Sequence, residues 1–159
     1  MFASVPAEAW MQPHAHGKWT YAELMQHLTL TYDVLSQELE GGPAMSVRTA
    51  WWQRILLNLT VRPRIIRGGG FPRGAPAPRE VRPKTVTADP GEAALIFAAA
   101  RARFERAVAA ARADNPGMRI THAYFGRRPL EEALRFCAAH LRHHQAQMSA
   151  SMVARTSHS

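Results

Sequence analysis

The length, composition and charge of the chain favour a single helical domain. Its 159 residues, 47% of them hydrophobic, are enough for one core. Alanine is abundant and β-branched runs are scarce, which favours helices over strands. The formal net charge of +8 permits an anionic partner, but the distribution of the basic residues decides whether one is expected.

Several classes of protein are excluded by simple counts. The chain has one cysteine, Cys137, so it has no intramolecular disulfide and no cysteine-based zinc finger, and we expect a cytoplasmic protein. The N-terminus lacks the pattern of a signal peptide. The longest apolar run, residues 93–100, is far shorter than the ~20 residues that span a bilayer, so we expect no membrane contact.

The first helix is predicted to begin after Thr20, because residues 1–18 look irregular. Thr20 and Glu23 have the spacing of a capping box, in which a hydroxyl and a carboxylate satisfy the free amides of a helix start. The Gly-Gly-Pro sequence at residues 41–43 ends this helix.

A second helix is predicted over residues 46–61, with Pro63 ending or kinking it. Residues 62–88 are predicted to form a long solvated loop, because this segment contains seven basic residues, five prolines and three consecutive glycines. The segment lacks the interleaved aromatic residues of a protein that binds single-stranded nucleic acid, and it is not a helix that could enter the major groove of DNA. We therefore do not expect nucleic-acid binding, whereas docking of an acidic partner stays open.

The second half of the chain predicts two further helices. Asp89, followed by proline and glutamate, opens the third helix, and the Asn-Pro-Gly sequence at 115–117 closes it. After a connection at 118–128, the fourth helix begins at Pro129, and residues 155–159 are expected to be a frayed tail. Without a strand signal, the chain predicts an all-α, four-helix bundle over residues 1–159. The fourth helix carries a heptad-like seam: Leu130, Leu134, Cys137, Leu141, His144 and Met148.

Three histidines lie on or beside apolar helix stripes. His140 and His144 are four residues apart, so in a helix they can point at one spot, and His27 on the first helix can supply a third imidazole. Three neutral histidines with an open position would make a reactive divalent metal site. The alternative is that each is a core histidine satisfied by a hydrogen bond, and spacing alone does not decide between these interpretations.

The other titratable candidates have simpler interpretations. His143 is displaced from the seam and is expected to face solvent or a partner, whereas His122, in the loop before the last helix, could approach the mouth of the bundle. Cys137 is interpreted as a small buried hydrophobe. The remaining histidines are expected to lie on the surface: His14, His16 and His158.

Two parts of the chain resemble the DinB-like (DinB/YfiT-like) superfamily of four-helix-bundle proteins. Residues 17–20 (Gly-Lys-Trp-Thr) and 23–28 (Glu-Leu-Met-Gln-His-Leu) are similar to the entry to the first ligand helix of that family. Residues 124–130 (Tyr-Phe-Gly-Arg-Arg-Pro-Leu), Phe136 and residues 140–147 (His-Leu-Arg-His-His-Gln-Ala-Gln) resemble its closing segment, which carries His-x-x-x-His and a glutamine three residues further on.

The resemblance implies that His27, His140 and His144 ligate a divalent transition metal such as Zn, Ni, Mn or Fe. It also implies a homodimer and either a hydrolase or a transferase that uses a low-molecular-weight thiol on a small-molecule substrate. Tyr124, His122 and Arg127 are our candidates for substrate contacts. Family members have a full helix before the tryptophan that corresponds to Trp19. In this chain we expect either that the helix at 46–61 takes the place of that helix or that upstream sequence is missing.

The competing hypothesis is a non-catalytic interaction bundle whose basic loop docks an acidic partner. It predicts no stoichiometric metal and a strong salt dependence of partner binding.

Overall fold

Four helices and one β-hairpin make up most of the described chain. The computed structural model describes residues 5–13, 15, 17–72 and 76–156, without the side chains from residue 150 onward. His14, His16, His158 and Arg73 of the basic segment therefore lie outside the described residues. The elements are α1 (Tyr21–Leu39), α2 (Trp51–Ile66), α3 (Pro90–Asp114), β1 (Arg119–His122), β2 (Gly126–Pro129) and α4 (Leu130–Thr156).

Helix α1 begins where its capping signal predicts. The Thr20 hydroxyl accepts a hydrogen bond from the Glu23 amide at 3.1 Å, and the Glu23 carboxylate accepts one from the Thr20 amide at 2.7 Å. These two bonds satisfy donors that have no partner within the helix. Helix α1 packs along α3, where Tyr32 meets Phe104 with ring centroids 5.2 Å apart.

Helix α2 begins and ends later than predicted. Residues before Trp51 are not helical because they bond to the hairpin: the Arg48 amide donates to the Ala123 carbonyl at 2.8 Å. The helix continues through Pro63 to Ile66, although an interior proline costs roughly 3 kcal/mol. Full burial of Ile65 and a bidentate ion pair of Arg62 with Glu132 on α4, at 2.6 and 2.7 Å, offset this cost.

The prediction of an entirely strandless chain was wrong, because residues 119–129 form a two-stranded antiparallel hairpin. Its turn ends at Gly126, which has φ +72°, a conformation that favours glycine. Glu38 of α1 anchors the outer side of β1: its buried carboxylate accepts the Thr121 amide at 3.0 Å and the Thr121 hydroxyl at 2.8 Å. This pairing replaces the neighbouring strand that β1 lacks.

The connection between α2 and α3 is shorter and better packed than a solvated loop over residues 62–88. Residues 62–66 belong to α2, and a 3-10 turn, Arg79–Val81, lies against α1. Val81 is only 3% exposed, so this part of the segment is attached to the core.

Helix α4 carries the predicted seam. Leu130, His144 and Met148 are buried, and Leu134, Cys137 and Leu141 pack against the cluster shared by α1 and α3. The helix reaches Thr156, two residues into the expected tail. Among the described residues, no helix has the length and apolar character needed to cross a bilayer.

Candidate metal centre

His27, His140 and His144 come together between α1 and α4. The Nε2 atom of His140 lies 3.0 Å from Nε2 of His27 and 2.8 Å from Nε2 of His144. One nitrogen from each ring lies within 4.8 Å of the other two. The two helices therefore place three imidazole nitrogens around one point, as the spacing and the resemblance predicted.

The local sequence explains this convergence. His27 is flanked by Leu24 and Leu28, both 1% exposed, so the packing of the apolar stripe carries the imidazole inward and leaves it 3% exposed. His144 occupies a seam position and is 8% exposed. His140 lies one helical turn earlier, on the same face of α4.

Hydrogen bonds to Nδ1 of His27 and of His144 determine which nitrogen of each ring is protonated. Nδ1 of His27 lies 2.7 Å from the Val81 carbonyl oxygen, and Nδ1 of His144 lies 2.9 Å from Oε1 of Gln147. Each oxygen accepts a hydrogen bond, so each Nδ1 carries the proton and each Nε2 presents a lone pair to the centre.

Burial keeps the imidazoles of His27 and His140 neutral at neutral pH. It lowers the pKa of His140 well below its ordinary value, and the neighbouring rings of His144 and His27 lower it further. Burial also lowers the pKa of His27, although the hydrogen bond to Val81 opposes that effect. Neutral imidazole is the form that binds a metal ion.

This set of donors fits a divalent transition metal. His140 has at most one Nε2 proton to share with two facing lone pairs, so at least one close nitrogen pair is repulsive without a cation. Imidazole nitrogens are ligands that zinc and its neighbouring transition metals take, and three of them from protein histidines occur together in catalytic zinc sites. Three protein ligands leave at least one coordination position open, as in catalytic rather than structural sites.

The other two described histidines of this region, His122 and His143, both line the cavity beside the three candidate ligands. Burial lowers the pKa of His122 to about 4, and its ring lies 4.7 Å from that of Phe125. The expectation that His143 faces solvent or a partner was wrong in part: its ring lies 5.7 Å from Phe71, and its Nε2 is 3.0 Å from Nε2 of Gln147.

A cavity of about 850 Å³ opens beside the three histidines. His122 and Tyr124 line it, and so does Cys137, whose thiol pKa is raised by burial to about 11, which agrees with its interpretation as a buried hydrophobe. Arg127 is exposed on β2 and lies outside the described cavity lining.

Four contributors to the site were assigned no role from sequence, although Trp19 and Gln147 lie in the two segments that resemble the family. Trp19 lies 4.9 Å from the His27 ring, centroid to centroid, and Phe71 lies 5.7 Å from the His140 ring. Gln147 stood within the resembling segment, so its place three residues after His144 was an available signal. The Val81 carbonyl had none, since it comes from a connection 54 residues away along the chain.

Comparison with known proteins identifies the family of the chain. The model of the DinB superfamily matches residues 1–148, a region that contains all three histidines. No curated protein and no solved structure matches the chain. Because the matched region covers most of its length, the chain belongs to the DinB superfamily.

Proposed function

We propose that the protein is a metal-dependent enzyme in which His27, His140 and His144 hold one divalent transition metal, such as Zn, Ni, Mn or Fe. The observation that carries the proposal is the convergence of three Nε2 atoms at the wall of a large cavity. When bound there, such a cation lowers the pKa of a coordinated water or thiol and polarises a carbonyl. The reaction class is hydrolysis or transfer of a small thiol.

The residues of the chain supply ligands, orientation and an apolar packing surface. Val81 and Gln147 hold the His27 and His144 rings in the tautomer that presents Nε2, which orients both ligands. The aromatic walls of the cavity offer a surface against which an apolar part of a substrate can pack.

Two of the three proposed substrate contacts lie in the cavity. Nδ1 of His122 accepts a hydrogen bond from the Tyr124 amide at 3.2 Å, so neutral His122 carries its proton on Nε2 and can donate it to a substrate oxygen. The Tyr124 hydroxyl donates to the Pro76 carbonyl, which leaves the ring for substrate packing. Arg127 can contact only a substrate that extends beyond the described lining.

Metal-dependent activity tests this proposal. Chelator-treated protein should lose activity in a screen of neutral esters, amides and thiol-transfer substrates, and added Zn²⁺, Ni²⁺, Mn²⁺ or Fe²⁺ should restore it. His27→Ala should remain inactive after metal addition, whereas Gln145→Ala, at an exposed position outside the described cavity lining, should respond like wild type. Activity that survives both chelation and His27→Ala would overturn the proposal.

The second candidate function, a non-catalytic interaction protein, would use an exposed apolar surface on helix α2. Helix α2 exposes a row of five large apolar side chains that the rest of the described chain leaves at least 52% exposed: Trp51, Trp52, Ile55, Leu56 and Leu59. Soluble monomers rarely expose a contiguous patch of this kind.

We propose that a second copy of the chain covers this row, which gives a homodimer compatible with either function. Light scattering coupled to size exclusion should report a dimer for wild type and a monomer for Leu59→Glu. Stoichiometric metal in the dimer favours the enzyme, whereas a dimer that binds no metal favours the interaction protein.

A further inference from the structure

The cavity beside the three histidines has walls of a distinctive chemistry. It is lined by α1, α2, α4, the hairpin, the segment before α1 and the connection between α2 and α3, and its described lining is mostly aliphatic and aromatic. Five aromatic side chains face it: Trp19, Phe71, Tyr124, Phe125 and Phe136. Its volume of about 850 Å³ is within the range of cavities that enclose a small organic molecule.

Charged groups are scarce in this lining. The chain has 20 lysines and arginines and 12 acidic residues, yet Lys18 is the one Lys, Arg, Asp or Glu among the described lining residues. The buried carboxylate of Glu38 lies behind the wall and is held by Thr121. A ligand with several charges would therefore lose hydration without gaining counterions, which is unfavourable in an apolar site.

Most hydroxyl groups of the lining are already engaged within the chain. The Thr31 hydroxyl donates to the His27 carbonyl at 2.8 Å, and the Thr121 hydroxyl donates to Glu38 at 2.8 Å. The Tyr124 hydroxyl donates to Pro76. The polar groups left to orient a ligand are concentrated at the histidine end of the cavity, where His122 stands beside Phe136 with ring centroids 5.1 Å apart.

We infer that the cavity takes an uncharged, largely apolar molecule that carries an aryl or branched alkyl body and one carbonyl-type oxygen facing the histidines. The orientation of that oxygen rests on the proposed metal-dependent function, whereas the selectivity for an uncharged body rests on the walls alone.

Binding to metal-free protein tests the selectivity without reference to the metal. Naphthalene-2-carboxamide and naphthalene-2-carboxylate share one ring system and differ in charge, and their dissociation constants are measured by calorimetry at neutral pH. The amide should bind at least about tenfold more tightly, equivalent to about 1.4 kcal/mol. Equal or tighter binding of the carboxylate, or no binding of the amide at millimolar concentration, would overturn the inference.

Two α2 variants connect the binding to this cavity. Leu57 lines the cavity and is half-buried, whereas Thr60 on the same helix is exposed and lies outside the lining. Leu57→Arg should weaken the amide at least about tenfold and strengthen the carboxylate, because it places a cation in the wall. Thr60→Arg should change neither constant by more than about twofold. Equal effects of the two variants would contradict the assignment.

Lys18→Gln provides a test that does not disturb the core. Lys18 is exposed, so this variant should fold, and the amide affinity should stay within about twofold of wild type. A loss of amide affinity of more than about tenfold would show that Lys18 anchors the ligand and would overturn the inference.

A separate measurement of Zn²⁺ binding by the same protein distinguishes the failure of this inference from the failure of the proposed function. If the metal-free protein prefers the carboxylate, yet binds Zn²⁺ through the histidines when the metal is added, the substrate class is overturned and the metal-dependent function is left intact. Protein that prefers the amide but binds no Zn²⁺ supports the substrate class and overturns the proposed function.

Discussion

Replacing Gln147 with alanine is expected to weaken metal binding without unfolding α4. Oε1 of Gln147 lies 2.9 Å from Nδ1 of His144, and its Nε2 lies 3.0 Å from Nε2 of His143. The variant removes the acceptor that keeps the His144 proton on Nδ1, so the ring can rotate or present the wrong nitrogen. Alanine is a good helix former, so the backbone should be unaffected.

The magnitude follows from the bond that is lost. A hydrogen bond to an imidazole that shares the charge of a bound metal contributes about 1.5–3 kcal/mol, which agrees with the roughly 10–100-fold losses found when such supporting contacts to a ligand are removed. Zn²⁺ affinity is measured by competition with a chromophoric chelator. Gln145→Ala is the matched control, because Gln145 is exposed two residues away on the same helix. Equal affinities for Gln147→Ala, Gln145→Ala and wild type would refute the orienting role.

Three further predictions concern stability. In a urea titration, Glu38→Ala should lower the free energy of unfolding by about 2–4 kcal/mol, because it leaves the buried Thr121 amide and hydroxyl unpaired. The control Glu105→Ala, at an exposed position, should change that free energy by at most about 0.5 kcal/mol. The pKa of His122 is lowered to about 4, so its contribution to stability is present above about pH 6.5 and is lost as the pH falls toward 4. The acid-induced loss of unfolding free energy should therefore be about 3 kcal/mol smaller in His122→Phe than in wild type. Identical dependence of the unfolding free energy on pH in the two proteins would contradict the burial of His122. Zn²⁺ at about 100 times its dissociation constant should stabilise the fold by about 2.7 kcal/mol, seen as a higher Tm that chelation removes, and His140→Ala/His144→Ala should show no such rise.

The parts of the fold that could be predicted from sequence depend on local signals. The start of α1 follows from Thr20 and Glu23, and the start of α3 follows from Asp89, whose side chain accepts the Gly91 amide at 2.7 Å. Caps and helical periodicity act within one or two turns, so they can be recognised without knowledge of the tertiary structure.

The parts that could not be predicted depend on contacts between distant residues. The hairpin requires Glu38 to meet Thr121, 83 residues further along the chain, and no local pattern in residues 119–129 reports that partner. Helix α2 was misplaced at both ends for the same reason: the hairpin holds the segment before it, and Glu132 holds Arg62 at its end.

In the candidate site, too, local features could be predicted from sequence and contacts between distant residues could not. His140 and His144 could be paired by their spacing on one helix, and His27 by its place on an apolar stripe and by resemblance. The apolar walls of the cavity could not be foreseen, because they combine side chains from three helices, the hairpin and the connection between α2 and α3, including Phe71 and Phe125. Arg127 was chosen for its charge, yet it lies on the exposed side of β2, which no local signal revealed.

The metal content of the purified protein tests the central claim most directly. Untagged wild type, His140→Ala/His144→Ala and His143→Ala are reconstituted with Zn²⁺, desalted and analysed by plasma mass spectrometry. We predict about one metal ion per chain in wild type and His143→Ala, and almost none in the double variant, because loss of two of three ligands removes the site. The absence of metal from wild type, or equal metal in the double variant, would contradict the account.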